Sequence, residues 1–425
     1  KSEKIVKLGL FTITSFVVAN MIGTGVFTSL GFQLMSINSA FAILALWLVG
    51  GLIALFGSFV YGELGAAMPR SGGEYNYLSQ IYNPIVGFLA GWVSITVGFA
   101  APVALASMAL GSYTNKVFPI LNPIAVASIT LIIITLIHSW DIKKGSSFQN
   151  IFTIFKVVLI LVFIICGFTV TPQFQNISFV PDKFAWSEII SPAFAVSLIY
   201  VTYAYSGWNA SSYIAGEIKN PQKLLPKSLL LGTLIVTILY VFLNITFLIT
   251  APAADMNGQV DVGYISAFNI FGELGGNIMG MLISFLLISS ISSMVFVGPR
   301  VSQVMGEDYN ILKVLAFKNK KNIPLYAILI QSTISLIMIF TGSFEQVLTY
   351  TGFTLNLFTF ITVIGVFVHR NKFKNAQRPY KSFGYPIVPI LFLIIMGWTL
   401  FFLLTERTLE SVLGLITVFS GLIIF

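Results

Sequence analysis

Charged residues are scarce in this chain: Asp, Glu, Lys and Arg together make up only 9% of its 425 residues. Soluble domains carry about 25% charged residues, so a soluble fold is excluded. Hydrophobic residues make up 56% of the chain and mean hydropathy is +0.92. Apolar runs of about 20 residues, the length that spans a bilayer, recur from end to end. The composition therefore predicts an all-α polytopic membrane protein.

Cysteine and histidine are almost absent. The one cysteine, Cys166, lies inside an apolar run, which excludes an intrachain disulfide and a cysteine metal cluster. The two histidines, His138 and His369, fall at predicted span ends, where they are most simply interfacial residues. No HExxH motif, Ser/His pair or carboxylate pair occurs at a matching depth. We therefore expect a protein that is not an enzyme and that holds no metal and no cofactor.

About twelve apolar segments predict transmembrane helices. The first is too long for a signal-peptide core, so we expect it to remain in the mature chain. Clusters such as MPRSGGEYN and KNPQKLLPK separate the segments, and no connection is long enough for a soluble domain. The predicted spans are 10–33, 39–67, 84–112, 122–139, 150–171, 191–215, 227–251, 275–298, 323–342, 346–369, 385–405 and 409–425.

The distribution of basic residues predicts a cytoplasmic N-terminus. With that orientation all but four of the 23 lysines and arginines fall on the cytoplasmic side. Lys116, Lys183 and Arg407 fall outside, and Lys156 falls within a span. Such an asymmetry is the positive-inside pattern of multi-pass proteins of the cytoplasmic membrane. The net charge of +8 therefore reports orientation and contact with anionic lipid rather than a nucleic-acid partner.

Two predicted spans contain glycine and polar residues near their midpoints. Span 1 reads VANMIGTGVF, and span 6 contains Ser206-Gly207-Trp208-Asn209. A helix that unwinds in a membrane must satisfy the freed backbone groups, and a bound zwitterion can do so. The N–H groups of Thr24, Gly25 and Val26 suit a carboxylate, and the carbonyls of 19–22 suit an ammonium. Glycines that only allow close helix packing are the alternative.

The positions of these two breaks predict an inverted repeat. Spans 1–5 (10–171) and spans 6–10 (191–369) would be equivalent units, with spans 11 and 12 (385–425) added. Because each unit has an odd number of spans, the second enters the membrane from the opposite side, as in inverted-repeat transporters. The whole chain is then one transporter domain with a substrate site near the membrane midplane.

Ionisable residues inside membrane spans are candidates for function. Lys156 in span 5 either snorkels to the surface or turns inward to the carbonyls of a broken helix. Glu63, near the inner end of span 2, most simply bonds to backbone or loop groups. The expected pocket between spans 1, 3, 6, 8 and 10 contains no acid other than Glu63, which favours neutral substrates.

Several segments resemble the amino acid–polyamine–organocation (APC) superfamily of permeases, and above all its L-type amino acid transporter (LAT) branch. VVANMIGTGVF is similar to the segment that opens span 1 in these permeases. YGELGAAMPRSGGEYNYL resembles their block between spans 2 and 3, and YAYSGWNASSYIAGEIKNPQKLLPKS resembles span 6. QNIFTIFKVV is similar to span 5 of the L-type branch, and RPYKSFGYPIVPIL resembles the connection into span 11.

The resemblance implies twelve helices in total: ten in the 5+5 inverted-repeat fold of the leucine transporter, and two further C-terminal helices. It also implies transport by alternating access. By position it implies substrate contacts at Ile22, Gly23, Thr24, Gly25, Val26, Tyr203, Ala204, Ser206 and Gly207, with Tyr203 as an aromatic lid. Lys156 matches the L-type lysine that replaces a coupling sodium. Its expected partners are span 1 carbonyls and span 8 hydroxyls, for which the candidates are Ser289, Ser292 and Ser293.

These features predict sodium-independent exchange of small to medium neutral L-amino acids such as alanine, serine, threonine or cysteine. A proton-coupled permease or amine antiporter of the same superfamily is the alternative, and an amino acid sensor is the alternative from another class. The loop SYTNKVFPILNP lacks the cysteine that links mammalian L-type transporters to a glycoprotein. We therefore expect a bacterial member with no disulfide-linked heavy subunit.

Overall fold

The computed structural model describes residues 7–140, 145–319 and 322–425. Apart from one isolated β-bridge between Leu8 and Ile218, the regular elements of the described residues are helices. The α-helices are α1 (Leu10–Met21), α2 (Gly25–Gln33), α3 (Ala40–Ala67), α4 (Glu74–Ile81), α5 (Pro84–Val93), α6 (Ala100–Val117), α7 (Pro123–Trp140), α8 (Gly145–Thr169), α9 (Lys183–Ile189), α10 (Pro192–Ala204), α11 (Ala210–Tyr213), α12 (Pro221–Thr250), α13 (Ala253–Met256), α14 (Val262–Asp308), α15 (Leu325–Thr341), α16 (Phe344–Lys372), α17 (Ile387–Glu406) and α18 (Thr408–Ile424).

Helices lie at each predicted span, which confirms a polytopic all-helical fold. Within the described residues, nine helical segments are long and apolar enough to cross a membrane. Counting the bent pair α9–α10 as one span raises the number to ten. Two further apolar helices, α15 and α18, are shorter. Six lysines of the predicted cytoplasmic loops lie outside the described residues: Lys1, Lys4, Lys143, Lys144, Lys320 and Lys321.

Among the helices that differ from the predicted boundaries, α12 and α14 extend furthest beyond them. α12 begins at Pro221, because proline is favoured in the first turn of a helix, and it continues through Pro226. α14 extends from Val262 to Asp308 and includes non-helical Gly272, where φ is 75°. A short π-helix, Ser94–Gly98, joins α5 to α6 inside the third span. Hydropathy does not report these changes, because the added turns of α12 and α14 carry charged residues such as Lys223 and Asp308, while the π-helix lies inside an apolar span.

The first and sixth spans lie at the centre of the bundle. α1 packs on α8, α11 and α12, while α2 packs on α10 and α14. Buried polar pairs attach α2 to further helices: Trp47 Nε1 of α3 donates to Gln33 Oε1 at 3.0 Å. The Tyr113 hydroxyl donates to the Phe27 carbonyl at 2.8 Å and accepts from the Gly263 amide at 3.0 Å. These bonds hold the outer half of the first span against α3, α6 and α14.

Candidate functional site

The first span is broken, as its sequence predicts. α1 ends at Met21, where the Ile22 amide makes the last helical hydrogen bond to the Val18 carbonyl at 2.9 Å, and α2 begins at Gly25. Among the described residues no protein acceptor is recorded for the amides of Thr24, Gly25 and Val26. These N–H groups form the start of α2, the end of a helix that carries partial positive charge. The break therefore presents donors suited to an anion.

The carbonyl groups at the end of α1 meet side-chain donors from two other helices. The Tyr240 hydroxyl donates to the Met21 carbonyl at 2.6 Å. Lys156 Nζ donates to the Ile22 carbonyl at 2.9 Å. Lys156 is only 4% exposed. Its side chain therefore turns inward to the broken helix, which confirms the inward alternative over snorkelling to the surface.

The ammonium of Lys156 also donates to a hydroxyl of α14, at 2.8 Å from Ser290 Oγ. Ser290 was not among the expected serines, although it lies next to Ser289. Ser289 is buried, and Ser292 Oγ lies 2.8 Å from His138 Nε2. Sequence position gives the depth of a serine in the membrane but not the rotation of its helix. That rotation brings Ser290 to the lysine.

The sixth span is broken as well. α10 ends at Ala204, and helix resumes at Ala210. Gly207 has φ 92°, a left-handed conformation that L side chains rarely adopt. A Cβ added to Gly207 would lie 2.7 Å from the Asn20 carbonyl oxygen. The break in the sixth span therefore lies directly against the end of α1.

The outer half of the first span meets the sixth span at Gly25. A Cβ on Gly25 would lie only 2.4 Å from Ala204 Cα. Glycine is thus required for the close approach of α2 to α10. The alternative explanation of this glycine, close helix packing, therefore holds at Gly25. The same contact brings the amides at the start of α2 beside the break in the sixth span. Packing and an exposed binding surface are therefore compatible at this position.

A small cavity of about 30 Å³ lies between the two breaks. Tyr203 borders it, 5% exposed, with its hydroxyl 3.5 Å from Thr24 Oγ1. The cavity brings together most of the residues predicted to contact substrate. Its lining is Asn20, Met21, Gly23, Thr24, Gly25, Pro102, Ala106, Tyr203, Ala204, Ser206, Ser290 and Met294. Ile22 and Val26 do not line this cavity. The carbonyl of Ile22 and the amide of Val26 nevertheless lie at the break of the first span.

A larger cavity of about 110 Å³ continues from the small one. The two share Asn20, Pro102, Tyr203, Ser206 and Met294. The larger cavity also contains Gly207 and the carboxylate of Glu74, at the start of α4. The expectation that Glu63 is the one acid near the pocket is therefore wrong. Glu74 follows two glycines in a loop-like segment, so counting charges within spans cannot find it.

Glu63 belongs to a separate ion-pair cluster. Its carboxylate is fully buried, and Arg370 donates to it twice, at 2.8 and 2.6 Å. The amide of Ser382 donates at 2.7 Å, and Arg378 Nε lies 3.7 Å away. The expected bonding to backbone and loop groups occurs at Ser382, whereas the main partner of Glu63 is the guanidinium of Arg370 in α16. This cluster ties α3 and α16 to the loop that precedes α17.

The amino acid permease family matches residues 8–423, which is almost the whole chain. The chain belongs to the amino acid permease family. This permease is 27% identical to the human b(0,+)-type amino acid transporter 1 over 99% of its own length and 87% of the relative's. It is 26% identical to the mouse large neutral amino acids transporter small subunit 2, over 99% of its own length and 80% of the relative's. The resemblance to L-type amino acid transporters is thus confirmed, and the permease is a multi-pass membrane transporter rather than an enzyme.

Proposed function

We propose that the permease binds the zwitterionic end of an L-amino acid between its two broken helices and moves it by alternating access. The observation that carries this proposal is the arrangement at the break of the first span. Unpaired amides of Thr24, Gly25 and Val26 suit the carboxylate. The carbonyl end of α1, around 19–22, suits the ammonium. Tyr203 acts as the lid, and Ala204, Ser206 and Gly207 form the facing wall.

The substrates proposed for this site are small to medium neutral L-amino acids such as alanine, serine, threonine and cysteine. The lining of the small cavity supports this range, because it contains no Asp, Glu, Lys or Arg. An unpaired charge in such a buried space would lose its hydration without compensation. A neutral side chain has no such cost.

Transport is proposed to be independent of sodium. Lys156 bridges the Ile22 carbonyl and Ser290 Oγ at 2.9 and 2.8 Å. A tethered ammonium at that position supplies the positive charge that a bound cation would otherwise give to the carbonyl and the hydroxyl. With no driving ion, the loaded carrier crosses more readily than the empty one, so exchange of one amino acid for another is the expected mode. Ser289 and Ser292 remain secondary candidates for contacts that change during transport.

The proposed architecture is that of twelve spans, with α15 and α18 counted as the two short ones. Spans 1–5 (10–171) and 6–10 (191–369) form the two inverted units, and 385–425 adds the last two spans. The breaks in the first and sixth spans support this division, since they occur at equivalent positions of the two units. The N-terminus is placed in the cytoplasm and the protein in the cytoplasmic membrane, in contact with lipid.

We further propose that the permease acts without a disulfide-linked heavy subunit. Its one cysteine, Cys166, lies within α8, one of the apolar helices that can span the membrane. A thiol at that depth is poorly placed to bond to a partner outside the membrane.

Uptake by proteoliposomes tests the proposed mode. Liposomes containing the full chain would be preloaded with unlabelled L-alanine or left empty, and then given radiolabelled L-alanine with sodium or with choline. We expect uptake only into preloaded liposomes, at equal rates in both salts. A requirement for sodium would contradict the role given to Lys156. Uptake into empty liposomes that follows a proton gradient and stops with a protonophore would establish the proton-coupled alternative.

A further inference from the structure

Three side chains from different helices meet at the predicted outer end of the bundle. Arg407, in the turn between α17 and α18, donates from Nη2 to Glu345 Oε1 in the first turn of α16. The hydroxyl of Tyr200, in α10, donates to the same oxygen at 2.8 Å and accepts from Arg407 Nη2 at 3.3 Å. Each member of this outer cluster (Tyr200, Glu345 and Arg407) therefore contacts both of the others.

Tyr200 also attaches the outer cluster to the outer half of the first span. Its carbonyl accepts from Ser29 Oγ of α2 at 3.2 Å. Its ring packs on Phe32 of α2 with ring centroids 6.0 Å apart. Phe32 in turn stacks on Phe344, the neighbour of Glu345 in α16, at 5.6 Å. The backbone and the ring of Tyr200 thus join α2 to the ion pair.

The structure is closed around the outer half of the first span. Every residue of α2, from Gly25 to Gln33, is buried. The larger cavity extends the other way, past Gly207 and Tyr213 toward α4, which lies in a predicted cytoplasmic connection. For a substrate to reach the break from outside, α2 and α10 must separate from each other or from their neighbours.

Such a movement would break the outer cluster. α10 packs on α16 and α17, and α16 packs on α18. If α10 moves away from α16, the Tyr200 hydroxyl leaves Glu345; if the two helices move together, Glu345 leaves Arg407. Hydrogen bonds between charged groups are stronger than neutral ones, but the Glu345 and Arg407 side chains are 21% and 34% exposed, so water weakens them. That strength suits a contact that breaks and re-forms.

We propose that Glu345 and Arg407 are positioning residues for transport, which keep the outer side closed by fixing Tyr200 against α2. This rests on the proposed function, because opening of the outer side is a step of alternating access. Arg407 belongs to 385–425, the two spans outside the proposed inverted units. These added spans therefore control how readily the outer side of the permease opens.

Labelling of a thiol introduced into α10 tests this proposal. Ser197 is 1% exposed and lies on the same helix face as Tyr200 and Ala204, the face that meets α2 at Gly25. The linings of the two cavities do not include Ser197. The reporter chain carries Ser197→Cys together with Cys166→Ser, since Cys166 is the one native cysteine. A charged maleimide, applied to the purified full chain without substrate, reacts with this thiol when α10 and α2 separate.

In the reporter chain we expect Glu345→Gln to raise the labelling rate by about fivefold or more, because loss of the ion pair increases the population open to the outside. Arg407→Gln should act in the same way, and Tyr200→Phe, which removes only the hydroxyl, should act in the same direction. Glu406→Gln is the matched control, because it removes the same charge from an exposed position beside Arg407. An unchanged rate in Glu345→Gln, or an equal rise in Glu406→Gln, would overturn the proposal.

Exchange of the two charges separates a specific contact from general loosening. The double variant Glu345→Arg with Arg407→Glu should restore slow labelling, because it re-forms the ion pair. Labelling as fast as in the single variants would overturn the proposal, as would a rise in labelling that only follows a fall in Tm. None of these measurements needs a substrate. Failure of alanine to bind at the first break, with the labelling pattern intact, would therefore contradict the proposed function alone.

Discussion

Lys156 joins three elements through a single ammonium group. Lys156 belongs to α8, and its ammonium donates hydrogen bonds to the Ile22 carbonyl in the break of the first span and to Ser290 Oγ of α14. Each of these partners is buried or part of the membrane core, where an unpaired polar group is expensive. The lysine therefore compensates the Ile22 carbonyl that the break leaves free.

Replacing Lys156 with alanine should reduce amino acid exchange to about a tenth or less, because the Ile22 carbonyl then lacks its buried donor. The measurement is radiolabelled alanine uptake into preloaded proteoliposomes, normalised to the amount of protein inserted. Lys183→Ala removes the same charge from an exposed position in α9 and should leave exchange intact. Full exchange by Lys156→Ala would remove the lysine from the mechanism.

For single residues, the sequence predicts which residues make important contacts better than it predicts their contact partners. The rarity of charge in membrane spans singles out Lys156 and Glu63, and both are engaged in buried contacts. The serine that meets the lysine depends on the rotation of α14, which one-dimensional spacing does not determine. Glu74 lies between spans, in α4, and the fold alone brings it to the cavity. The depth of a residue in the membrane can be inferred from hydropathy, whereas the direction in which its side chain points cannot.

The two broken helices depend on each other at the scale of elements. Gly25 permits α2 to approach α10, and Gly207 permits the break in the sixth span to lie against Asn20. Each break keeps a few local hydrogen bonds, such as the Gly23 amide to the Met21 carbonyl at 2.8 Å and the Ser206 amide to the Tyr203 carbonyl at 2.9 Å, and each also packs on the neighbouring element. The sequence signals for both breaks, glycine and polar residues within apolar runs, are strong because few other residues tolerate this geometry.

A pair of alanine substitutions separates packing from helix propensity at the first break. In Gly25→Ala the new Cβ would lie 2.4 Å from Ala204 Cα, so the helices must separate. We expect a loss of about 1–3 kcal/mol of stability, as for other overpacked sites, together with loss of alanine binding. In Gly23→Ala the new Cβ would lie 4.0 Å from the Met21 carbonyl oxygen, an ordinary contact distance, and stability should be maintained.

Thermal unfolding in detergent, with and without L-alanine, measures this difference. A lower Tm for Gly25→Ala than for Gly23→Ala is the expected order. Equal Tm values for the two variants would show that the contact between Gly25 and Ala204 does not constrain the fold.

Other element boundaries are less accessible from the sequence. The first turns of α12 and the ends of α14 extend beyond the predicted spans, because helix continues wherever packing or solvent satisfies the backbone. The π-helix at Ser94–Gly98 borders the larger cavity through Ser94 and Gly98. Its sequence, SITVG, is apolar and carries no marker of the wider turn. Tertiary context therefore determines these features.

For the whole molecule, the connected cavities define one path from the crossing of the two breaks toward α4. The small cavity borders the peptide groups of the break in the first span, and the larger one extends from it to Glu74 of α4. The proposed alternating access would open this path to each side of the membrane in turn. The two cavities meet at Tyr203.

The central claim is that the two broken helices hold the amino acid end of the substrate. A cryo-electron microscopy structure of the full chain with bound L-alanine would test it most directly. The account predicts the substrate carboxylate within hydrogen-bond distance of the amides of Thr24, Gly25 and Val26, and its ammonium at the carbonyls that end α1. Alanine density elsewhere in the bundle, with those amides occupied by protein groups, would contradict it.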